Sequence, residues 1–76
     1  MPKHDLPAHH ALAANIRRLT EAKGCTLTQL PFEAGLSPTH FWKVLRRDAE
    51  PRLTWMVKIA DALDVPVHAL LEPVDA

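Results

Sequence analysis

Apolar residues recur along this chain at helical spacing and nowhere alternate with a period of two, which restricts the fold to packed helices. Leu12, Ile16 and Leu19 fall at i, i+4 and i+7, a stripe along one side of a first helix. Met56, Ile59, Ala60 and Leu63 repeat that stripe nearer the C-terminus. Gly24, Gly35 and Pro66 cut the pattern into short pieces. The expected class is all-α, a compact domain of five short helices.

Local signals place the boundaries. The first helix is expected at roughly residues 6 to 23, with Asp5 as its cap, Pro7 in the first turn and Gly24 as its stop. Thr26 followed three residues later by Gln29 reads as a capping box. The short second helix carries Leu30, Phe32 and Ala34. Pro31 costs one hydrogen bond if Thr26 is the cap and none if Thr28 is. Gly35-Leu36-Ser37 makes a tight turn, Ser37 caps a third helix and Pro38 takes its first position. Phe41, Val44 and Leu45 share one side of that helix, while Thr39, Trp42, Lys43 and Arg46 share the other. A polar linker, Arg47 to Arg52, leads to the fourth helix. After Asp64-Val65-Pro66, the residues Val67, Leu70 and Leu71 form a last short helix before Pro73. The expected organisation is a flexible N-terminus (1–5), a single domain (6–72) and a C-terminal tail (73–76).

A chain of 76 residues buries only about 60% of its unfolded surface, so self-association is a natural source of added stability. Cys25 is the lone cysteine, which excludes an internal disulfide and fits a reducing compartment. No stretch approaches the roughly 18 apolar residues of a membrane span, and the start lacks a signal-peptide core; a cytoplasmic protein is expected. The net charge is zero, but its distribution is uneven. Leu12 to Lys58 holds eight basic residues against four acidic ones, whereas Ile59 to Ala76 holds four acids and no Lys or Arg. A basic side and an acidic end follow.

Two helices joined by Gly35-Leu36-Ser37 have the form of a helix-turn-helix. From about Leu12 to Leu71 the chain resembles the Cro and phage-repressor family, also called the XRE family, whose fold is lambda-repressor-like. The resemblance rests on Ile16-Arg17-Arg18-Leu19, Leu30, Gly35-Leu36-Ser37, Phe41, Val44, Pro51, Ile59-Ala60-Asp61-Ala62-Leu63, Val65 and Leu70-Leu71. It implies a dimeric transcriptional repressor that inserts helix 37–46 into the major groove of double-stranded DNA. By the same resemblance, base reading falls on Pro38, Thr39, His40, Trp42 and Lys43. Phosphate binding falls on Arg17, Thr26, Thr28, Ser37, Arg46 and Arg47. Val67, Leu70, Leu71 and Val74 either complete the monomer core or form the seam of a homodimer, the latter being preferred.

The chain departs from the family pattern at several positions. Leu27 stands where the family often has Gln, Pro31 where it favours Ala, Leu45 where it favours Glu, and Arg47 where it favours Gly. Pro38 has no side-chain hydrogen-bonding group, so an amide contact to adenine is unavailable there. Trp42 points outward by helical phase, towards DNA or a partner, unless it folds back onto a neighbour; Trp55 reads as packing. The five histidines (His4, His9, His10, His40, His68) match no structural zinc spacing, so no metal or other cofactor is expected. With no nucleophile-base-orienter set and only two glycines, an enzyme is not expected. The rival reading is a protein-interaction module, antitoxin-like or adaptor, that keeps the scaffold with weakened DNA readout.

Overall fold

A computed structural model describes residues 3–74, and among them the only regular elements are helical. Four α-helices, α1 (Pro7–Lys23), α2 (Leu30–Ala34), α3 (Pro38–Leu45) and α4 (Leu53–Leu63), precede a 3-10 turn at Val67–Leu70. The expected fifth α-helix is therefore corrected to a single 3-10 turn. Ala69 N–H donates to Pro66 O and Leu71 N–H to His68 O, each at 3.0 Å, both with i→i−3 spacing. Asn15 Nδ2 takes the carbonyls of Leu70 at 3.0 Å and Glu72 at 2.9 Å. Held by α1, those carbonyls do not extend a helix, and Pro73 blocks a further turn.

The first cap also differs from expectation. Pro7 disfavours the helical region for the residue before it, so Leu6 is extended (ψ 155°) and takes the N-cap position in place of Asp5. Leu6 N–H donates to His9 Nδ1 at 3.2 Å, and Asp5 pairs with His10 instead. The sequence expectation of a flexible stretch at 1–5 and a tail at 73–76 falls partly outside the described residues. Within them, His4 N–H donates to Arg47 O at 3.0 Å. At the other end of α1, Gly24 adopts the left-handed region (φ 83°), as a helix stop of this kind requires, and Lys23 Nζ donates to Ala62 O.

The Thr26–Gln29 box forms in the turn that precedes α2, and the N-cap of α2 is Gln29, neither of the two threonines expected from sequence. Gln29 N–H donates to Thr26 Oγ1 at 3.1 Å and Thr26 N–H to Gln29 Oε1 at 3.3 Å. Leu30 N–H reaches Thr26 O at 3.1 Å, while α2 itself takes Gln29 as its N-cap and holds Pro31 in its first turn, where the missing amide costs no helical bond. The ring is not wasted: Pro31 is buried, whereas Phe32 is 70% exposed. Phe32 lies about 200° around the helix from Leu30, so it cannot share the inward side with Leu30.

The core draws Leu12, Ala13 and Ile16 from α1, Leu30 from α2, and Phe41, Val44 and Leu45 from α3. Trp55, Ile59, Ala60 and Leu63 from α4 and Leu70 from the 3-10 turn complete it. Ile16, Leu30, Phe41, Ile59 and Leu70 are fully enclosed, and each such side chain contributes about 1.5–3 kcal/mol by leaving water. Leu70 is thus part of the monomer core and is unavailable to a dimer seam. Trp55 packs as expected, stacked on Phe41 with ring centroids 6.0 Å apart.

Candidate nucleic-acid interface

The turn before α3 is made by Gly35, which ends α2 at φ 70°, a region that side chains other than glycine enter at a cost. Leu36 N–H returns to Pro31 O at 2.8 Å. Ser37 is extended and its Oγ accepts the His40 N–H at 3.4 Å. Pro38 at the first position needs no amide partner. α3 is then pinned by Phe41, Val44 and Leu45, all at most 3% exposed. With that side enclosed, Thr39, His40, Lys43 and Arg46 stand exposed on the opposite one.

Trp42 does not stand free beside them. It is half-buried, and its ring meets Phe41 edge-to-face with centroids 5.6 Å apart, a favoured aromatic geometry. Of the two orientations that the sequence leaves open, outward or folded back, the folded-back one is found: the side chain lies along the core. His40 packs against Trp55 at 6.4 Å, also edge-on. The sequence Trp42, Phe41, Trp55, His40 thereby forms one aromatic chain across α3 and α4. Pro38 is half-buried and presents only its ring.

The residues read as phosphate contacts divide into two groups. Thr26, Thr28, Ser37, Arg17 and Arg46 are exposed. The hydroxyl oxygens of Thr26 and Ser37 accept backbone amides, which leaves each O–H proton available for donation to an anion. Arg46 lies 3.5 Å from Asp48 through Nε, with both side chains largely in solvent, a pairing too weak to hold it from a phosphate. Arg47 differs. It adopts φ 64° and ends α3 where the related pattern favours glycine. Its side chain is turned towards Asp5, with Nε 3.6 Å from Oδ1 and 27% of the side chain exposed, and that Nε is buried without a hydrogen-bond partner among the described residues.

Sequence reasoning missed Asn15. It is 1% exposed, holds the C-terminal segment through two carbonyls, and accepts from Arg18 Nη2 at 3.3 Å. A polar residue one position before Ile16 in the apolar stripe was the available signal. The expected seam residues also separate: Leu71 and Val74 are exposed and Val67 is half-buried, while Leu70 is enclosed. None of the described helices is long and apolar enough to cross a membrane.

No protein-family model matches the sequence, and no curated protein matches it. Solved structures do. A hypothetical transcription factor, NHTF, from Neisseria superposes with a TM-score of 0.81 at 30% identity, covering 96% of this chain and 88% of its own. The restriction-modification controller protein C.AhdI from Aeromonas hydrophila superposes with a TM-score of 0.74 at 29% identity, covering 82% of this chain and 94% of its own.

Proposed function

We propose that this chain, which belongs to the Cro and phage-repressor family of helix-turn-helix domains, is a cytoplasmic, dimeric transcriptional repressor that lays α3 in the major groove. One observation carries the reading. The outer side of α3 gathers a hydroxyl, an imidazole and two cations, Thr39, His40, Lys43 and Arg46, while its inner side is enclosed by the core. The two similar structures described above carry regulator names, one a hypothetical transcription factor and one a restriction-modification controller protein, which supports regulation over catalysis.

In this reading Thr39 touches a thymine methyl or a base acceptor and Lys43 donates to the acceptors of guanine. Pro38, His40 and the free edge of Trp42 fit the groove by shape. Thr26, Thr28, Ser37, Arg17 and Arg46 hold phosphates, which give affinity without sequence information. Arg47 is removed from that set, because its guanidinium is turned to Asp5. Val67, Leu71 and Val74 form the dimer seam, with Leu70 beneath them as core. Two reading helices then sit about 34 Å apart, one turn of the duplex.

The test is selection of bound fragments from random duplex DNA, repeated with Lys43→Ala. A palindromic motif whose discrimination falls by about 1–3 kcal/mol at one base pair in the variant supports the reading. No enrichment, together with retention of a protein partner, favours the interaction-module alternative. For the seam, Leu71→Lys is expected to shift sedimentation from dimer to monomer.

A further inference from the structure

We propose that His4, His9 and Glu50 form a binding site for a divalent transition-metal ion of the zinc class. No spacing rule links these residues, because the third stands 41 positions beyond the second. The fold brings them together from the N-terminal lead-in, the first turn of α1 and the linker between α3 and α4. One nitrogen from each imidazole and one carboxylate oxygen all lie within 4.8 Å of one another. Two imidazoles and a carboxylate are a ligand set suited to zinc, nickel or copper. Ligand atoms around a tetrahedral ion bound at about 2.0–2.2 Å lie somewhat closer together than this, and Glu50, 66% exposed at its side chain, is free to close the gap.

The backbone around the cluster is already anchored. His4 N–H donates to Arg47 O at 3.0 Å, and the His4 and His9 rings sit 5.2 Å apart. His9 Nδ1 accepts the Leu6 N–H at 3.2 Å, so the ring proton lies on Nε2, which points to Glu50 Oε1 at 3.7 Å. That position is also where a cation is accepted. A metal taking the Nε2 lone pair moves the ring proton to Nδ1, which then no longer accepts from Leu6. Binding thus exchanges the helix-cap hydrogen bond for a metal bond, and the Leu6 amide reports it directly. Once bound, the ion would clasp the lead-in to the linker that follows α3.

The experiment is a Zn²⁺ titration of the untagged full chain by calorimetry, with the Leu6 amide followed by NMR and Co²⁺ absorption as a check on coordination. We expect one equivalent to bind, the Leu6 resonance to move with it, and affinity to fall at least about tenfold in His4→Ala and in Glu50→Gln. Both substituted positions lie outside the core, so circular dichroism should show the fold intact. His68→Ala should leave binding unchanged. Absence of binding, binding that survives both His4→Ala and Glu50→Gln, or binding abolished by Cys25→Ser would each overturn the proposal.

Discussion

α1 and α3 are both amphipathic helices with many polar side chains, yet they spend them differently. On α1 the polar groups are largely consumed inside the molecule. Asn15 holds Leu70 and Glu72, Thr20 bonds Ile16 O at 2.6 Å, Lys23 reaches Ala62, and His9 and His10 bind the segment just before the helix. On α3 and its C-cap the outer residues Thr39, Lys43 and Arg46 stand in solvent, and only Arg46, the cap, has a side-chain partner, an exposed one. α1 is built to brace the fold, and α3 is built to present. Arg46 and Arg47 mark the boundary. Adjacent in sequence, one belongs to the presenting surface and the other to the brace.

The contrast can be broken from the inside. Phe41→Ala removes the fully enclosed anchor on which the outer side of α3 depends. It should cost about 3–5 kcal/mol, read by urea unfolding; a loss under about 1 kcal/mol would mean that α3 is held by something else. Asn15→Ala attacks the brace and should cost about 2 kcal/mol, since two carbonyls lose their donor. Amide exchange in Val67–Leu70 should accelerate with it, and unchanged exchange there would contradict the clamp. Arg47→Gly sharpens the comparison most finely. A non-glycine residue at φ 64° stores roughly 1 kcal/mol of backbone strain, and the exposed partner Asp5 returns little of it. A net gain of less than about 1 kcal/mol is expected, whereas a loss larger than that would show the Asp5 contact to be a stronger tie.

Much of the architecture was legible because it is written in short-range rules. The stripe of Leu12 and Ile16, the Thr26–Gln29 box, the Gly35 turn and Pro38 at a helix start all depend on residues within one or two turns. The exposed side of α3 followed from the same periodicity. What escaped depends on side-chain torsions or on distant chain. Helical phase gives the direction of the Trp42 Cβ but not the torsions that lay its ring on Phe41. Arg47 was read beside Arg46 because nothing local says that it meets Asp5, 42 positions earlier. Asn15 bonds carbonyls more than 50 positions away, and the same clamp turned an expected last helix into a single 3-10 turn. Hydrophobicity alone would rank Phe above Pro for the interior, yet Phe32 is exposed and Pro31 buried, because helical angle rather than hydrophobicity decides which side faces the core.

The division between Arg46 and Arg47 is tested most directly by the salt dependence of binding to duplex DNA. Each phosphate contact contributes about 0.9 to the slope of log affinity against log salt. Arg46→Ala should therefore flatten the slope by about that amount, while Arg47→Ala should leave the slope unchanged. Equal slopes for the wild type and Arg46→Ala, or a flattening confined to Arg47→Ala, would contradict the account.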